Sequence, residues 1–108
     1  MDSEQVRIEF SVEPDYCLLR LAGALGVEHA AELRQTALEL HAYGKNVRLD
    51  WSGAAQLDAS IAQVLLSLAA GLRDQKRSLS AQAAVPQAVE MWLRTAGLWE
   101  ALGKAPDA

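Results

Sequence analysis

Asp58 and Ser60 open a strongly apolar stretch, Ile61 to Leu72, and hold the chain's most promising chemistry. A hydroxyl at the mouth of a helix sits where backbone N–H groups point outward with partial positive charge. A phosphate placed there is stabilised by the same field, which makes Ser60 a candidate switched hydroxyl. The bland role is capping, because Asp and Ser satisfy an orphan helix N–H and contribute about 1 kcal/mol. The two roles are compatible: Asp58 caps while Ser60 faces outward.

Few other residues compete. Ser52 lies just upstream, either as a second hydroxyl partner or as a turn former. Trp51 either packs in the core or offers an aromatic anchor to a partner. His29 and His41 are too far apart on one predicted helix to share a turn, so they form no metal pair. Cys17 is the single cysteine, which excludes an intrachain disulfide and a thiolate metal site. It falls in an apolar strand-like run and reads as a small buried hydrophobe.

Catalysis fails on inventory. The chain has neither a phosphate-cradling GxxxxGK[ST] loop nor a GxSxG nucleophile elbow. No histidine stands beside Ser60 in sequence to activate it. The expectation is a non-enzyme without a cofactor or metal.

Composition agrees with a folded domain: of 108 residues, 51% are hydrophobic and 22% charged. That length predicts one domain, residues 1–108, with its core over about 6–102 and a short disordered C-terminal tail. The net charge is −4, with ten basic residues scattered among fourteen acidic ones. Nucleic acid is therefore not an expected partner, since tracking phosphates needs concentrated positive charge. No apolar run approaches the roughly 20 residues that span a bilayer. Met1 to Glu13 also lacks the apolar segment of a signal peptide, and a cytoplasmic protein is expected.

The elements that must position Ser60 follow from periodicity. Val6, Ile8, Phe10 and Val12 alternate with polar residues, which predicts a half-buried strand. Pro14-Asp15 turns the chain into a second strand, Tyr16 to Leu21, ended by Gly23. Ala30, Leu33, Ala37 and Leu40 share one face of a helix over Gly26 to Tyr43, stopped by Gly44. Val47 to Trp51 predicts a third strand, followed by a loop to Leu57. Ile61, Val64, Leu65, Leu68 and Leu72 then mark the clearest helix.

Leu79 to Val85 predicts a short strand, and Pro86 the first turn of a last helix bearing Val89, Trp92 and Leu93. Leu98 to Leu102 is read as a half-buried turn and Gly103 onward as a frayed tail. The fold class is α/β, in the order β-β-α-β-α-β-α. Strand–helix alternation after a hairpin implies a mixed four-stranded sheet with parallel crossovers. Function in such folds gathers at the carboxyl ends of parallel strands, where the Trp51–Leu57 segment lies.

Three segments bear a resemblance. Leu21-Ala22-Gly23-Ala24-Leu25 enters the first helix through glycine. Val47 to Ser52 runs into Leu57-Asp58-Ala59-Ser60, similar to an Asp-Ser-Ser-Gly-type motif. Ala96-Gly97-Leu98 follows the last helix, similar to a closing Thr-Gly-Leu. In this order and spacing they resemble the STAS domain family, the fold of bacterial anti-sigma-factor antagonists. Two positions differ from its usual pattern: Ile61 replaces a glycine, and Gly26 replaces an acidic residue.

The resemblance implies phosphorylation of Ser60 by a cognate anti-sigma factor, a serine kinase of GHKL type. In that scheme the unmodified form binds the kinase and the phosphorylated form releases it. It further implies a docking surface that includes Gly23, Gly26, Trp51, Ser52, Asp58, Ser60 and Ile61. A different branch of the family implies another role: a small subunit beside the ATPase of an ABC-type phospholipid transporter, without phosphorylation.

Overall fold

The computed structural model describes residues 5–82 and 84–105. Strand β1 (Arg7–Val12) and strand β2 (Tyr16–Ala24) form the opening hairpin. Glu13 N–H donates to Tyr16 C=O across the turn at 2.8 Å, and Lys45 Nζ holds the Glu13 carbonyl at 2.7 Å. A single 3-10 turn, Val27–His29, leads into helix α1 (Ala30–Tyr43). Strand β3 (Asn46–Gln56), helix α2 (Ala59–Asp74), strand β4 (Leu79–Ala81) and helix α3 (Gln87–Thr95) follow, and a π turn spans Trp99–Gly103.

The sheet order is β1-β2-β3-β4. The first pair is antiparallel and the other two are parallel, so the mixed sheet and its element order match expectation. Cys17, Leu19, Leu21, Val47, Leu49 and Trp51 point from β2 and β3 into one core. That core is completed by Leu33, Ala37 and Leu40 of α1, and by Ile61, Leu65, Leu68 and Leu72 of α2. Both helices present their apolar stripe inward at the 3.6-residue period, as the sequence predicts. Val89 and Leu93 add the inner face of α3. The opposite sheet face carries Arg7, Glu9, Arg20, Asp50 and Ser52 around a shallow hollow of about 340 Å³.

Strand β2 runs past Leu21 and through Gly23 to Ala24, helix α1 starts at Ala30 rather than Gly26, and three further boundaries differ from the sequence reading. Strand β3 does not stop at Trp51 but continues to Gln56. Gly53 and Ala54 pair with Ala22 and Gly23, and two register shifts absorb the irregularity. Ser52-Gly53 is a turn signal on paper; here it is the bulged part of a strand that β2 holds in place. Strand β4 is three residues long, and the expected extension to Val85 is not formed at Ala84 and Val85 (Ala83 lies outside the described residues).

The third difference is at the C-terminus. Gly103 is buried, and Lys104 C=O accepts from Ala81 N–H at 2.9 Å, so the chain is pinned beside β4 rather than frayed there. The tail residues 106–108 lie outside the described residues.

Gly23 shows why glycine stands at the exit of β2. Its φ is +86°, and a Cβ would lie 2.8 Å from the Gln5 carbonyl oxygen. An L side chain there meets both a strained backbone and a backbone clash. The close approach brings the β2 exit under the start of the chain and aims the next residues at α1.

Candidate functional site

Asp58 adopts extended backbone angles (φ −129°, ψ −179°) as the N-cap of α2. Its Oδ1 accepts three hydrogen bonds: from Ser60 N–H at 3.0 Å, Ile61 N–H at 3.3 Å and the Ser60 hydroxyl at 2.6 Å. Two of the orphan donors of the helix start are thus satisfied by one oxygen. Asp58 is the cap. The Ser60 hydroxyl caps nothing and acts as a donor toward the carboxylate.

The electrostatics follow from that geometry. The Ser60 hydroxyl holds the Asp58 carboxyl below its usual range of 3.8, against some desolvation, with smaller help from the Ile61, Ser60 and Val27 amides. Val27 belongs to the turn before α1, so one carboxylate draws on both α2 and that turn. The turn is closed by His29 N–H donating to Gly26 C=O at 2.9 Å. Gly26 N–H in turn donates to His29 Nδ1 at 3.1 Å, which leaves Nε2 to carry the imidazole proton. Leu25 N–H donates to Gln56 C=O at 2.9 Å and ties the exits of β2 and β3 together.

The seven residues expected at a docking surface divide into three groups. Gly26, Asp58 and Ser60 come together around the start of α2. Ser52 does not join them. It is exposed on the other sheet face, where its N–H donates to Asp50 Oδ1 at 2.9 Å. The Ser52 hydroxyl, ahead of its amide and the Arg20 charge, lowers the Asp50 carboxyl.

Trp51, Ile61 and Gly23 are withdrawn from any surface. The Trp51 ring is fully buried, and its indole N–H donates to Leu102 C=O at 2.9 Å. It anchors the π turn, not a partner. Ile61 is fully buried as well, because the third helical position turns its side chain into the core. The branched side chain that replaces glycine therefore does not cover the hydroxyl beside it. Gly23 is buried beneath Gln5 and Val6.

One feature escapes the sequence reading. A groove of about 630 Å³ runs between α1 and α2 from Ser60 toward Gly71. Arg34, Leu38 and His41 line its α1 side, and Gln63 and Ser67 its α2 side. The small residues Ala30, Ala37 and Gly71 are its signal in the sequence, legible only once the two helices are known to be neighbours. Among the described residues no cluster of His, Cys, Asp or Glu could hold a metal ion. None of the described helices is long and apolar enough to cross a membrane.

The fold resembles that of known proteins. A candidate anti-sigma factor antagonist from Thermotoga maritima superposes with a TM-score of 0.77 at 16% identity, over 94% of this chain and 86% of that one. An anti-sigma factor antagonist from Mycobacterium paratuberculosis gives 0.76 at 14% identity, over 95% and 87%. The phosphorylated form of the Bacillus cell fate determinant SpoIIAA gives 0.68 at 14% identity, over 95% and 93%. At such identities the likeness is one of fold. No curated protein matches the sequence significantly. Residues 8–103 match the family described as "Mlab, STAS domain", and the chain belongs to the STAS domain family.

Proposed function

We propose that this chain is a non-catalytic docking domain of the anti-sigma-factor-antagonist type, or a related signalling switch, controlled by phosphorylation of Ser60. The observation that carries the reading is the hydroxyl of half-buried Ser60, held by Asp58 at the lip of the α1–α2 groove. A partner kinase of GHKL type supplies ATP. The Ser60 oxygen attacks the γ-phosphorus, the bond to the β-phosphate oxygen breaks, and ADP leaves. The hydroxyl proton goes to a base of the kinase, since Asp58, with its lowered pKa, is a poor proton acceptor.

The consequence for binding is electrostatic. Phosphorylation adds about −1.5 to −2 charges next to a carboxylate that had been accepting the hydroxyl proton. A partner seated against a neutral hydroxyl now faces two anionic groups and releases. Phosphorylated SpoIIAA supports the reading as a fold relative that carries the modification.

A second reading is favoured by the family description, which names Mlab. In it the chain is a constitutive subunit beside the ATPase of an ABC-type phospholipid transporter, and Ser60 serves as a contact residue without a kinase. Both readings place the domain in the cytoplasm. Capture of partners from the native host by wild-type and Ser60→Glu protein separates them. A kinase recovered by wild type only supports the switch. Equal recovery of transporter subunits by both proteins supports the constitutive subunit.

A further inference from the structure

The groove beside Ser60 has the shape and charge of a cradle for one more helix. α1 and α2 run parallel, as two successive crossovers on one sheet face must. The far end of the groove is closed by contact: a Cβ on Gly71 would lie 2.9 Å from the His41 ring, so only glycine leaves room for the imidazole there. From Ser60 to Gly71, at ~1.5 Å per residue, the groove is about 16 Å long, or three helical turns. Leu38, exposed at 61%, stands on its rim, and half-buried Leu66 lines the other side.

Its charge has one sign. Arg34 and His41 are the ionisable side chains that line it, both on α1 and two turns apart, and no carboxylate lines it. Among the described residues neither is ion-paired with a carboxylate. Of the carboxylates near its ends, Asp58 at the Ser60 end is occupied by the cap, and Asp74 lies beyond Gly71 in the last turn of α2.

We infer that the α1–α2 groove binds an acidic amphipathic helix of a partner protein. The partner's apolar stripe lies along the floor, and its carboxylates face Arg34 and His41. Helix-in-groove recognition uses anchors at i, i+4 and i+7, which three turns provide. The inference deepens the docking reading by naming the partner's chemistry. It also gives the Ser60 phosphate an object, because the added charge lies at the end of a groove that selects anions.

The test needs neither the native partner nor a kinase. A capped peptide of about sixteen residues, leucine at i, i+4, i+7 and i+11 with glutamate between, is titrated into 15N-labelled wild-type protein. Its counterpart carries lysine for every glutamate. The acidic peptide is expected to shift the amides of Arg34, Leu38, Gln63 and Ser67 saturably and to bind about tenfold tighter than the basic one, since exposed charge pairs contribute a few tenths to 1 kcal/mol each. Arg34→Glu, at an exposed position, should remove or reverse that preference.

Equal affinities, or no saturable shift at these amides, would overturn the inference. Shifts there that depend on protein concentration without peptide would give the groove to a second copy and overturn it too. Because the titration uses unmodified protein, a Ser60 that is never phosphorylated leaves the groove assignment standing. A switch that works through another surface leaves the Ser60 reading standing and this one fallen.

Discussion

The Ser60 hydroxyl and Asp58 Oδ1 stand 2.6 Å apart, and the same carboxylate oxygen holds the Ser60 and Ile61 amides. The cap and the proposed switch therefore share one atom. Whatever alters the hydroxyl alters the start of α2.

Removing the cap should cost stability directly. Asp58→Ala leaves two helix N–H groups without their acceptor and is expected to lower the unfolding free energy by about 1 kcal/mol. Asp58→Asn keeps an acceptor oxygen and should lose less. Urea denaturation of the two variants beside wild type measures the order. An unchanged midpoint for Asp58→Ala would contradict the assignment of Asp58 as the cap.

Acid should act on the same group. Asp58 and Asp50 have folded pKa values below the ordinary 3.8, so each contributes stability that is present above that value. That contribution falls away as pH drops below about 4 and through the folded pKa. Asp58→Asn should flatten part of the decline. Unfolding free energy measured across this range in both proteins gives the comparison, and parallel curves would remove Asp58 from the account.

Restoring glycine at position 61 should harm the fold without opening the serine. Ile61→Gly empties a fully buried site in α2. Loss of a buried isoleucine costs about 2–5 kcal/mol, and glycine in a helix adds about 1 more. The phosphorylation rate of folded protein should not rise, because Ile61 does not cover the hydroxyl. A faster rate for this variant under conditions where it stays folded would show that it does.

Trp51 separates packing from docking. Trp51→Phe removes the indole donor and strands the buried Leu102 carbonyl, which costs about 1–3 kcal/mol. Denaturation should report that loss, while affinity for a captured partner stays at the wild-type value at a temperature where both are folded. A selective loss of affinity would return Trp51 to the interface.

Much of this was readable from residue types alone. Asp58 ahead of an Ile61-Val64-Leu65-Leu68 stripe announces both the helix and its cap. Gly44, with φ of +69°, ends α1 as a glycine after a periodic run should. The rest depended on long-range pairing. Ser52-Gly53 carries a turn signal that β2 overrides by extending the ladder to Gln56. Trp51 looks the same on paper whether its ring meets a partner or the Leu102 carbonyl. The groove is invisible because Ala30, Ala37, Ser67 and Gly71 line one hollow only when two parallel crossovers set α1 beside α2.

The central claim is that phosphate on Ser60 governs release of a bound partner. The most direct test incubates the wild-type domain with its captured partner and ATP, then follows complex and modification together by native and peptide mass spectrometry. The account predicts one phosphate, on Ser60, appearing as the complex dissociates, and neither event in Ser60→Ala. A complex that persists with Ser60 unmodified, or that dissociates equally in Ser60→Ala, would contradict it.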